Sequence, residues 1–221
     1  MMIPELELIF AEYENIVSQV DQVFESVCNQ FPECINCKKE CSDCCHALFD
    51  LTLVEAIYIN YKFIENIPET KRALILEEAN KVDRKLYRLK RDSFRSIESG
   101  DKTEDQVLFE LAAERSRCPL LNNENLCDLY KFRPITCRLY GIPTSIGGRG
   151  HTCGLSMFKE GQSYPTVNLD AIYLKLNDLS SKLVKTIKSS YTQMDKILMP
   201  LSMSLLTVFD ESYLGVKKDK E

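Results

Sequence analysis

The chain has 221 residues, 44% of them hydrophobic, and a formal net charge of −5. That apolar content is enough for a buried core, and the acidic balance excludes a whole-chain field drawing the protein to nucleic acid or an anionic membrane. No stretch reaches the roughly 18 uninterrupted apolar residues of a membrane span, and Met1 to Val27 lacks the basic and apolar regions of a signal peptide. The expected location is therefore the cytoplasm. Thiols are kept reduced there, so the ten cysteines read as metal-binding or catalytic groups rather than disulfides.

Leu6, Ile9, Phe10, Tyr13, Ile16, Val17, Val20 and Phe24 recur at helical spacing with acids opposite, which predicts a helix from about Pro4 to Cys28. Cys28 lies on its apolar face and reads as a small buried hydrophobe. Five cysteines then fall between Cys34 and Cys45, in a stretch with no sustained period and with Pro32, Asn36, Ser42 and Asp43. This segment reads as a ligand-rich loop.

Thr52 and Glu55 form a capping box that predicts a helix start just downstream of that loop. Asn66, Pro68 and Glu69 repeat the start signal, and Lys71 to Ile97 runs without a breaker, as a long charged helix would. Thr103 with Gln106 predicts a further helix ending near Arg117.

From Cys118 to Gly161, nine glycines and prolines punctuate a segment holding four cysteines. Compact domains seldom carry about 45 residues of irregular chain unless something organises them, and bound metal is the candidate. Helical spacing returns in Asn168 to Tyr191 and again in Thr192 to Leu214. The expected organisation is an N-terminal helix over 1–33, a cysteine-cluster domain over 34–161, and a helical hairpin over 162–221 packed on the same core. The predicted fold class is all-α, with two irregular cysteine-rich metal-binding loops.

The first cysteine cluster reads Cys34-x2-Cys37-x3-Cys41-x2-Cys44-Cys45. Two-residue spacings let a tight turn direct two sulfurs at one cation while backbone amides face the thiolates. The second set is Cys118, Cys127, Cys137 and Cys153, whose wide spacings gain weight only beside the first. Adjacent Cys44 and Cys45 are expected to serve different metals or opposite sides of a cluster, because successive side chains diverge. His46 and His151 flank cysteines and are alternate or outer ligands. Several thiolates make an anionic site, and Arg115, Arg117, Lys131, Arg133, Arg138 and Arg149 stand near the second set to offset it, Arg133 and Arg138 foremost.

Cys37-x3-Cys41-x2-Cys44-Cys45, Cys118-Pro119-Leu120-Leu121, Cys127-Asp128-Leu129-Tyr130 and Arg133-Pro134-Ile135-Thr136-Cys137-Arg138-Leu139-Tyr140 together resemble the CxxCxxCC cysteine-cluster family of zinc- or iron-chelating proteins. Three residues separate Cys37 from Cys41 where members often have two, which leaves Cys34 as a substitute ligand. The resemblance implies Cys37, Cys41, Cys44, Cys45, Cys118, Cys127 and Cys137 as core ligands, with Cys153 as an eighth. One branch of the family, the flagellin lysine N-methylases, implies an iron-sulfur cluster used with S-adenosylmethionine.

Sulfur-only ligation suits zinc and iron-sulfur clusters alike, and the cysteine count tilts the reading toward iron-sulfur. The role is structural, electron-transferring or redox-sensing. Cys37-x3-Cys41-x2-Cys44 also has the spacing of radical S-adenosylmethionine enzymes, but that chemistry sits on a partial α/β barrel and this chain shows no strand series. A third reading is a zinc-stabilised binding module, from Lys81, Arg84, Lys85, Arg88, Lys90, Arg91 and Arg95 on one predicted helix. A protein partner, or a homodimer through the C-terminal helices, is expected before nucleic acid, and no membrane partner is expected.

Overall fold

The computed structural model describes residues 6–38 and 40–216, which are mostly helical. Helix α1, Leu6–Gln30, buries Ile9, Phe10, Tyr13, Val20 and Val27, the stripe that the periodicity predicts. Pro4, where that helix was expected to begin, lies outside the described residues. Helix α2, Leu53–Asn66, starts at the Thr52–Glu55 capping box, and every residue from Leu53 to Asn60 is buried. A helix covered all round is a central one. Helices α1 and α6 (Leu169–Thr186) pack on one side of it, and the short α7 (Leu201–Leu206) packs on the other.

Two polar side chains lock α2 to these neighbours. Ser180 on α6 accepts the Val54 N–H at 3.2 Å, and Asn60 donates to the carbonyls of Ser204 and Thr207 at 2.8 and 3.0 Å. Each satisfies helix-end groups that would otherwise be orphaned. Helix α3, Glu69–Glu98, buries only Ile75, Ala79 and Leu86 and packs on α7. Its basic side chains turn partly inward: Lys85 donates to the Arg115 carbonyl and Lys90 pairs with Asp50 at 2.7 Å.

Helix α4, Glu104–Ala113, has the predicted Thr103–Gln106 capping box but stops four residues short of Arg117. The reason is a competing partner for the backbone. Ala47 and Arg115 form an antiparallel bridge, Ser116 N–H donates to the His46 carbonyl at 3.0 Å, and Cys118 N–H donates to the Cys45 carbonyl at 2.7 Å. The two cysteine-bearing segments are thus joined by backbone hydrogen bonds.

The all-α expectation holds only in the main. Strand β1, Asp50–Thr52, pairs antiparallel with β5, Leu198–Pro200, with Leu51 opposite Met199. Strands β2, Thr144–Ile146, and β3, Arg149–His151, form a hairpin whose turn is Gly147-Gly148, both at positive φ as such two-residue turns demand. Strand β4, Val167–Asn168, runs parallel to β2 and hands over to α6, whose N-cap Asn168 accepts the Ala171 N–H.

The predicted hairpin of two long helices is not formed. Helix α6 ends at Thr186, and the run from Thr192 to Leu214 divides into a 3-10 turn, Met194–Lys196, then β5, then α7. Pro200 is the cause, because it cannot donate to a helix and pushes the residue before it into extended backbone. Its apolar neighbours are buried all the same. Met199, Leu201, Leu205 and Leu214 join Leu6, Val27, Ile57, Leu120, Leu139 and Leu176 in one hydrophobic cluster. Among the described residues no helix is long and apolar enough to cross a membrane.

Candidate metal centre

Five cysteines line one cavity of about 60 Å³: Cys44, Cys45, Cys118, Cys127 and Cys137. Cys44 and Cys45 come from a 3-10 turn, Asp43–His46, placed against the 115–118 segment by the backbone bonds above. Adjacent Cys44 and Cys45, expected to serve different metals or opposite sides of a cluster, both line this cavity. Cys127 is returned beside Cys118 by a tight turn in which the Asn122 side chain accepts the N–H groups of Glu124 and Leu126 at 2.9 and 3.0 Å. Cys137 sits inside a single helical turn, α5, Ile135–Leu139, that follows Pro134. The first N–H of α5, on Ile135, donates to buried Glu55 at 3.2 Å.

The thiols are one another's neighbours. Cys45 is pushed up to about 12, first by its hydrogen bond with Cys118, while its bond with Cys44 pulls the other way and burial adds to the rise. Cys44 is lowered by its bond with Cys137, but its bond with Cys45 and its burial prevail and leave it at about 12. Burial raises Cys127 to about 12 against the help of the Leu129 N–H. Cys137 is held well above the ordinary thiol range by its bond with Cys44 and then by burial. Thiols so disposed stay protonated near neutrality until a cation displaces their protons.

The other predicted ligands stand apart from this cavity. Cys37 and Cys153 both reach the Tyr140–Asp43 pair. Burial first, and then the neighbouring charges of Cys41, Cys153, Cys28 and Asp43, push Cys37 up to about 11. Cys37 Sγ donates to the Tyr140 carbonyl at 3.5 Å, and Cys153 Sγ donates to Asp43 Oδ2 at 3.4 Å. Burial would raise the Asp43 carboxyl, but bonds from Tyr140 and Cys153 and the Arg115 guanidinium hold it below its ordinary range. The radical S-adenosylmethionine spacing is therefore divided: Cys44 faces the five-thiol cavity, which Cys37 and Cys41 do not line.

Of the flanking histidines, His46 Nδ1 donates to the Ser42 carbonyl at 3.0 Å and does not line the cavity. His151 lies on exposed β3 and helps wall a separate cavity of about 100 Å³ beside Cys153. Cys34 is buried, and its thiol donates to Glu33 at 3.8 Å. Among the basic residues, Arg117 and Arg133 line the five-thiol cavity, and Arg133 lowers the Cys137 pKa. Arg138 departs from its expected role. It is 6% exposed and spends its fork on Asp21 (2.6 Å) and the carbonyls of Arg133 and Lys131 (2.9 and 2.6 Å), because its place in α5 turns it toward α1.

Sequence reasoning passed over Asp43, Tyr140 and Glu55 as parts of the site, because their roles depend on distant partners: Arg115 lies 72 positions from Asp43, Tyr140 97 positions from it, and Ile135 80 positions from Glu55. Among the described residues, no three Cys, His, Asp or Glu side chains stand closed around the position of one ion. The donor set nevertheless suits a thiophilic metal. Five soft sulfurs share one cavity with two guanidinium side chains and an otherwise largely apolar wall, the environment in which thiolates bind zinc or iron.

Comparison with known proteins finds a matching family model. The family model CxxCxxCC, described as a zinc- or iron-chelating domain, covers residues 36–154, more than half of the chain. No curated protein and no solved structure matches the chain.

Proposed function

We propose that this chain, which belongs to the CxxCxxCC family of zinc- or iron-chelating domains, holds an iron-sulfur cluster among Cys44, Cys45, Cys118, Cys127 and Cys137 and works as a redox protein. The observation that carries this reading is the adjacent pair Cys44 and Cys45 on one cavity with three further thiols. Zinc and an iron-sulfur cluster alike take four cysteines, so the five sulfurs are a full set with one in reserve, and the adjacent pair is what favours the cluster. A centre of several iron atoms spreads its ligands over a wider perimeter, and adjacent Cys44 and Cys45 then serve different irons.

A bound cluster supplies one-electron chemistry. The chain's own residues prepare for it. The thiols line one cavity, and on holding such a cluster they would give up their protons to solvent. Arg117 and Arg133 offset the charge that then develops, and Ile59, Leu120, Leu129 and Leu201 limit water around it. The five cysteines are only partly buried, which supports a centre that exchanges electrons with a partner or an oxidant.

The test is purification without oxygen followed by iron and acid-labile sulfide analysis. Brown protein with both is the expected result, lost in Cys118→Ser and Cys137→Ser. Colourless protein carrying stoichiometric zinc in the same cavity would replace this reading with a structural zinc site.

A further inference from the structure

We infer that the outer faces of α3 and α4 form a self-complementary docking surface for a second copy of this chain, in which α4 of each copy lies along an arginine ridge on the other's α3. The surface makes no use of the cysteines.

The two helices form an antiparallel hairpin. Lys102 N–H donates to the Ser96 carbonyl at 3.0 Å, and Lys85 donates to the Arg115 carbonyl at 3.2 Å, so α4 runs back along the second half of α3. Among the described residues of α4, only Val107 is buried. Four large apolar side chains of the hairpin stand in water: Tyr87 and Phe94 on α3 are 66 and 60% exposed, and Leu108 and Phe109 on α4 are 63 and 78% exposed. Leu108 and Phe109 share an exposed face with Asp105 and Ala112, at the i, i+3, i+4, i+7 spacing of a helix that lays one side on a partner. The inner side of α4 already packs through Val107, so this second apolar face has no use within the chain.

Charge is sorted between the same two helices. Arg84, Arg88, Arg91 and Arg95 recur every three or four residues and are all exposed, which sets them in one ridge with Tyr87 and Phe94 on its flank. The ridge ends at Glu98. Nearby lysines are engaged within the chain, Lys81 on Glu77 and Glu78, Lys85 on the Arg115 carbonyl and Lys90 on Asp50. Arg91 pairs with Asp92 at 2.8 Å, whereas Arg84, Arg88 and Arg95 make no ion pair among the described residues. Helix α4 carries Glu104, Asp105 and Glu110 and no basic residue. Glu110 holds Lys102 at 2.6 Å, and Glu104 and Asp105 make no ion pair among the described residues.

Unpaired cations and unpaired carboxylates thus lie on neighbouring helices and do not meet. A two-fold axis between two hairpins brings each α4 onto the partner's ridge, so that every contact is made twice. The lengths agree, since the ten residues of α4 and the run from Arg84 to Arg95 each span about 15 to 17 Å at the rise of an α-helix. Glu104 and Asp105 then accept from the arginines, and Leu108 and Phe109 cover Tyr87 and Phe94. An acidic peptide would satisfy the ridge alone and a basic one α4 alone, whereas a second copy satisfies both. The C-terminal helices, the dimer face that periodicity suggests, spend Leu201, Leu205 and Leu214 in the core.

The experiment is sedimentation equilibrium on the full chain purified without oxygen, over a concentration series at low and high salt. Reversible association to twice 25.4 kDa is expected, weakened about tenfold by high salt. Phe109→Asp leaves a monomer. So do the ridge reversal, Arg84→Glu with Arg88→Glu, and the α4 reversal, Glu104→Lys with Asp105→Lys, each of which opposes like charges in its own homodimer. Mixing the two reversed proteins restores a dimer, because the acidic ridge of one receives the basic α4 of the other, a recovery that misfolded chains could not make. Failure of the mixture to dimerise overturns the proposal, as do a wild type that stays monomeric at low salt and a dimer untouched by Phe109→Asp. A monomer that needs Arg84 and Arg88 to retain single-stranded RNA overturns it too, and makes the ridge a nucleic-acid surface. In the wild type itself, amide exchange over 104–113 slows as concentration rises, and a dimer whose α4 exchanges at the monomer's rate places the interface elsewhere and overturns the proposal.

Discussion

The carboxylate of Glu55 accepts the backbone N–H of Ile135 at 3.2 Å, across 80 positions of sequence. The same side chain closes the capping box of α2 by accepting from Thr52 at 3.0 and 3.3 Å. One buried residue therefore starts the central helix and also anchors the helical turn that carries Cys137.

Glu55→Ala leaves buried donors unpaired at both places, and a loss of about 3 kcal/mol in unfolding free energy is expected. Glu55→Gln keeps an acceptor and should cost less. Burial raises the Glu55 pKa, against hydrogen bonds that lower it. Its contribution to stability is therefore fully present below the unfolded carboxyl value and declines as pH rises through the folded one. Urea titrations from acid to neutral pH should show that slope in the wild type and not in Glu55→Gln.

For Cys127 the same linkage acts in the alkaline range. Burial raises this thiol from 9.0 to about 12, so the metal-free protein should lose stability as pH climbs from about 9 toward 12. Cys127→Ala removes that part of the slope. In the loaded protein the thiolate is already formed and metal affinity rises with pH instead. Thermal melts of both forms across that range check the opposite signs.

Arg138 is a structural residue by its contacts. Arg138→Ala leaves the Arg133 and Lys131 carbonyls without this donor and breaks the pair with Asp21, with an expected cost of about 2 to 4 kcal/mol. Asp21 is 44% exposed, so Asp21→Asn should cost under about 1 kcal/mol. Denaturant midpoints of the two variants measure the difference, and an equal loss in both would refute the assignment.

Metal removal should act regionally. The 118–161 segment holds few long elements, whereas α1, α2 and α6 bury their apolar faces in the common core. Hydrogen exchange after chelation is expected to show amides of 118–161 losing protection while α2 keeps it. Uniform loss along the chain would mean that the metal holds the whole fold.

Helix starts were legible wherever the signal is local. The Thr52–Glu55 and Thr103–Gln106 capping boxes stand where the sequence places them, because such motifs need only three or four consecutive residues. Helix ends were less legible. Helix α4 stops at Ala113 since residues 115–118 find backbone partners in the first cysteine loop, and no local pattern announces a partner some 70 positions away. The reading of Thr192 to Leu214 as one helix followed the apolar spacing past Pro200, where the missing donor decides for a strand and a short helix.

For the candidate site, spacing and resemblance together determined which residue types matter, the cysteines from Cys37 to Cys153, since sulfur chemistry is a property of the side chain alone. Tertiary structure decided how they are shared out. It set Cys44 and Cys45 on one cavity with Cys118, Cys127 and Cys137, and left Cys37, Cys41 and Cys153 off it. Which sulfurs meet depends on where the backbone of distant segments pairs, and the seat of Cys37 on a single absent Cβ at Gly141. Those are relations between parts of a folded chain, and no sequence interval contains them.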